Sequence, residues 1–137
     1  MNKTTFSLAV LTLLMAKMAN AEFYTDPKAL QQLLSGNSLV GSYNELQFIQ
    51  TLNTDGTVMV AVKGEKTPHK AKWFINDKAE YCEQWPDHTS CFQIGLDGEM
   101  AKPGQKQLLK VKSHDDADIV SYLHQGIIPL TFATDSE

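Results

Sequence analysis

Apolar and polar positions change their period once along this chain. Leu30, Leu33 and Leu34 recur at i, i+3 and i+4, the single apolar stripe of a helix. Asp26 can cap that helix, Pro27 suits its first position and Gly36 can close it, which predicts a helix over about 26–35. A helix of about ten residues is marginal alone, so its leucines must bury against something. That favours a helix plugging the end of a sheet over a mobile lid or a partner-binding helix.

From Ser38 onward the period is two. Leu46, Phe48 and Leu52 alternate with Glu45, Gln47 and Thr51, and Val58, Val60 and Val62 alternate with Thr57, Met59 and Lys63. Between these runs Asn53-Thr54-Asp55-Gly56 reads as a hairpin turn. Ala71, Trp73 and Ile75 then share one face, with Lys70 and Lys72 on the other. Asn76-Asp77-Lys78, Asp97-Gly98, Pro103-Gly104 and the acidic stretch from His114 to Asp118 punctuate the rest. A last strand is expected over 127–132, confined to an edge by Pro129. The prediction is a mainly β protein, an antiparallel meander of seven to eight strands over about 43–132. It would form a small barrel or a curled sandwich, with one N-terminal helix.

The first residues read as an address rather than as fold. Lys3 precedes an uncharged apolar run over 6–16, and Ala19-Asn20-Ala21 puts small residues at the −3 and −1 positions of a signal-peptidase site. The run has about half the length that a bilayer-spanning helix needs. Residues 1–21 are therefore expected to be a signal peptide, and 22–137 a single exported domain, periplasmic or secreted, with no membrane contact after cleavage. Export bears on the two cysteines of the chain. Cys82 and Cys91 flank Trp85-Pro86-Asp87-His88, so they fall on facing strands of a hairpin and are expected to form a disulfide. A metal site using Cys82, His88 and Cys91, with Glu83, matches no common zinc spacing.

The order of these residues carries a resemblance. Gly41, the Asp55-Gly56-Thr57 turn, Trp73 and Asp77 are followed by Cys82-x-x-Trp85 and then Cys91. This run, about half the chain, resembles a family of small exported bacterial β-domains of unassigned function. That family is built around a Trp strand and a Cys-x-x-Trp…Cys hairpin, and Ala71 stands where its pattern has Gly. The resemblance implies a fold and no activity.

Composition narrows the chemistry. The 137 residues hold 16 acidic and 12 basic side chains, all of the latter lysine, for a net charge of −4. Loss of Lys3 and Lys17 with the signal peptide leaves the mature chain still more acidic. An acidic chain without arginine lacks the footprint of a nucleic-acid binder. No G-x-S-x-G occurs, the cysteines are committed to the disulfide, and Glu80 and Glu83 point to opposite faces of one strand. His69, His88 and His124 have no partner of telling spacing. His114, Asp115, Asp116 and Asp118 lack the Gly and distal Glu of a calcium loop and read as a solvated turn. Neither catalytic residues, metal nor cofactor is expected. The aromatics remain. Trp73, Tyr81 and Phe92 fall on neighbouring strands and either fill the interior or line a cavity in it. Trp85 and Asp87 sit at the stapled loop, where an exposed Trp would mark a contact surface. The expected function is a non-catalytic binding domain for a small apolar or aromatic ligand or a protein partner. The alternative is an inhibitor of a secreted or cell-wall hydrolase, acting through the disulfide loop.

Overall fold

Residues 22–133 are described in a computed structural model. The expected signal peptide and the last four residues lie outside the described residues. A helix, α1 (Pro27–Leu34), precedes eight strands: β1 (Ser38–Tyr43), β2 (Leu46–Leu52), β3 (Thr57–Val62), β4 (His69–Ile75), β5 (Glu80–Gln84), β6 (Thr89–Leu96), β7 (Gln107–Ser113) and β8 (Ile119–His124). Each strand pairs antiparallel with the next, and β8 pairs back onto β1, so the meander closes into a barrel. Closure is what separates a barrel from a curled sandwich, and it leaves no free edge.

Period two sorts the side chains. Register places Leu39, Phe48, Gln50, Leu52, Val58, Val60, Ala71, Trp73, Tyr81, Glu83, Phe92, Ile94, Leu109, Ser121 and Leu123 on one face, the interior. Lys70, Lys72, Lys110 and Lys112 take the outer face and are exposed.

Helix α1 closes one end. Asp26 caps it by accepting from the Lys28 amide at 3.1 Å, and the Gly36 amide donates to the Leu52 carbonyl at the far end of β2. Leu30 and Leu34 are fully buried against Leu39, Leu52, Trp73 and Tyr81 within one core. Each such leucine contributes about 1.5–3 kcal/mol. Leu33 is only half-buried, because i and i+4 face the barrel and i+3 turns to its rim.

Two strand expectations are corrected. The first strand begins at Ser38, not near 43, because Asn44 and Glu45 (φ 47° and 72°) make a tight turn that needs two left-handed residues. Residues 127–132 form no strand. With β1 and β8 already paired, no edge was left to join. The segment instead folds over β1, where the Ser38 hydroxyl donates to the Gly126 carbonyl and accepts from the Ile128 amide. On the opposite outer wall, the Tyr24 amide donates to Ile94, and a Cβ on Gly95 would meet the Glu22 carbonyl oxygen at 2.1 Å. Only glycine lets the incoming chain lie this close.

Cys82 and Cys91 are directly opposed on β5 and β6 and form the disulfide. It faces outward, since its neighbours Tyr81, Glu83 and Phe92 face in.

Candidate binding cavity

The end opposite α1 is built from the β1–β2, β3–β4, β5–β6 and β7–β8 turns, and no helix among the described residues covers it. Among the described residues it opens into a cavity of about 310 Å³, at the low end of small-molecule sites. Phe48, Val60, Val62, Phe92, Val111 and Ile119 supply its apolar wall. Tyr43, Leu46 and His88 stand at the mouth. The mouth is braced by the turn at Asn44, whose amide donates to the Asp118 carbonyl while its side-chain oxygen accepts from the Asp118 amide.

The cavity also has polar members, Gln50, Glu83, Ser90 and Ser121, one each from β2, β5, β6 and β8. Glu83 is 8 % exposed. Its carboxylate accepts from Gln50 Nε2 across the barrel, from the Tyr81 hydroxyl at 2.7 Å and from the Trp85 indole at 3.2 Å. All three are N–H or O–H donors, the complement of an ionised, acceptor-only carboxylate. Burial, and then the charge of Glu83, push the Tyr81 phenol well above its ordinary range, so it stays a donor. Among the described residues no lysine lines the cavity. The Ser121 hydroxyl is buried and has no hydrogen-bond partner among the described residues. Such groups are uncommon in folded proteins and need a reason.

The predicted aromatics divide along the barrel axis. Trp73 belongs to the closed end, where its indole donates to the Asn53 carbonyl at 2.9 Å and its amide to Gly56, locking the β2–β3 turn. Tyr81 lies between, with ring centroids 6.1 Å from both Trp73 and Phe92. Of the five residues expected to bind, only Phe92 lines the cavity. Trp85 is half-buried and packs against the core, not exposed at the loop tip, because Glu83 draws its indole inward. The tip itself is the short turn at Pro86 and Asp87, closed by the Trp85 amide donating to the His88 carbonyl. Asp87 and His88 are exposed and paired at 2.7 Å, and that hydrogen bond holds the Asp87 carboxyl below its ordinary value. His114 does not join its acidic neighbours in a site; it pairs with Glu80 on the outer face at 3.2 Å.

Sequence reasoning missed Gln50, Glu83 and Ser121 as a set. The available signal was polar residues at inward positions of three strands whose other inward residues are apolar. Compared with family models, with characterised proteins and with solved structures, the chain matches none of them.

Proposed function

We propose that this is an exported, non-catalytic binding domain that holds a small, mainly apolar molecule inside its barrel. The observation that carries the reading is the open apolar cavity ending on a buried polar floor. A purely structural core would fill that space and leave no unpaired hydroxyl. The disulfide suits an oxidising compartment. The exposed lysines on the outer face of β4 and β7 suit a barrel standing in water, because a lipid-facing wall would carry an apolar band. An inhibitor loop is the weaker reading, since Trp85 turns back toward Glu83 and leaves the tip without an aromatic anchor.

The test is titration with N-phenyl-naphthylamine, an uncharged fluorophore that brightens in apolar surroundings. Saturable enhancement that is lost in Val111→Phe, which fills the cavity, supports the reading. No enhancement, or enhancement indifferent to Val111→Phe, overturns it.

A further inference from the structure

The polar floor adds a chemical demand to the apolar wall. Glu83 has four acceptor positions and its three donors use three of them. Gln50 donates through Nε2, which leaves its amide oxygen as an acceptor. Ser121, on β8 two strands from Gln50, adds a hydroxyl with no partner among the described residues. The unmet capacity is thus mostly for accepting hydrogen bonds. The charge balance points the same way. Among the described residues, Glu83 is the one carboxylate in the cavity, and no lysine lines it to serve as counter-ion. The other titratable groups that face it among the described residues are the Tyr81 phenol beside the floor and Tyr43 and His88 at the mouth, where Asp87 already engages the His88 ring. The Tyr43 phenol is raised first by burial, then by the charges of Asp115 and Glu83.

We propose that the cavity selects an amphipathic primary amine. Its apolar or aromatic body would lie against Phe48, Val60 and Phe92, and its ammonium group would donate to Glu83, Gln50 and Ser121. An ammonium group has three donors and no acceptor, matching three acceptors and supplying the missing positive charge. A carboxylic acid of the same shape meets a like charge at the floor, and an alcohol satisfies at most part of it. This inference rests on the binding reading above and names the class of ligand for the same site.

Three probes of one shape decide it on the intact, disulfide-bonded protein: phenethylamine, phenethyl alcohol and phenylacetate, compared by calorimetric titration. The amine should bind at least roughly tenfold tighter than the alcohol, with phenylacetate weakest. Glu83→Gln keeps the size of the side chain and removes its charge, so the amine should fall to the level of the alcohol. An alcohol as tight as the amine, or an amine advantage that survives Glu83→Gln, overturns the proposal. If the variant does not fold, the ranking on the unaltered protein decides alone. Should the ranking fail while N-phenyl-naphthylamine still binds and Val111→Phe still expels it, the cavity reading stands and only the ammonium head group falls.

Discussion

At the closed end of the barrel, Leu30 and Leu34 of the helix join Leu39, Leu52, Trp73 and Tyr81 in one buried cluster, and the Trp73 indole has its partner in Asn53. At the open end, the same eight strands surround a cavity, with Glu83 at 8 % exposure and the Ser121 hydroxyl without a hydrogen-bond partner among the described residues. Backbone pairing runs the length of most seams, but β7 and β8 are matched only from Gln107↔Leu123 to Leu109↔Ser121, on the side of the closed end. The inward side chains differ as well, mostly apolar below and mixed above. Stability is concentrated where the interior is filled, and recognition where it is not.

The comparison breaks most easily at the closed end. Leu34→Ala should cost about 2–5 kcal/mol in denaturant unfolding, because a fully buried leucine leaves a cavity beneath the helix. Val60→Ala, on the half-buried cavity wall, should cost about 1 kcal/mol or less. Equal losses would erase the distinction between the ends. Reduction of Cys82–Cys91 should lower stability by about 2.5–3 kcal/mol through loop closure, measured by the same unfolding before and after reduction. A smaller loss would show that β5 and β6 hold their register without the staple.

Gly95→Ala should cost about 1–3 kcal/mol, because its Cβ would strike the Glu22 carbonyl and lift the N-terminal segment from β6. The smallest effect concerns pH. Folded Tyr81 keeps its proton above the ordinary tyrosine value, whereas the unfolded chain releases it near that value. In the window above about pH 10 the unfolded state binds fewer protons, so stability falls as pH rises. Tyr81→Phe should flatten that slope in an alkaline unfolding series. The residual slope would belong to Tyr24 and Tyr43, which burial also raises. An unchanged slope would remove Tyr81 from the account.

Local chemistry carried much of the fold into the sequence. The Asp26-Pro27 start, the leucine stripe, the strands alternating at period two and the Asn53–Gly56 turn are all properties of neighbouring residues, and they appear where the pattern places them, apart from the start of the first strand, the strand expected over 127–132 and the half-buried Leu33. The disulfide was legible for the same reason, since one hairpin brings both cysteines together. Strand β1 was less legible, because its turn uses Asn44-Glu45 in place of the usual Asn-Gly.

The cavity depended on closure. Gln50, Glu83 and Ser121 are far apart in the chain and on different strands, so no spacing links them. Pairing of β8 with β1 decided that they share one interior, and that residues 127–132 lie outside it. The inward turn of Trp85 was decided in the same way, by a carboxylate whose position follows from the register of β5. Periodicity tells which face of a strand a residue occupies. Only closure of the barrel tells what stands across from it.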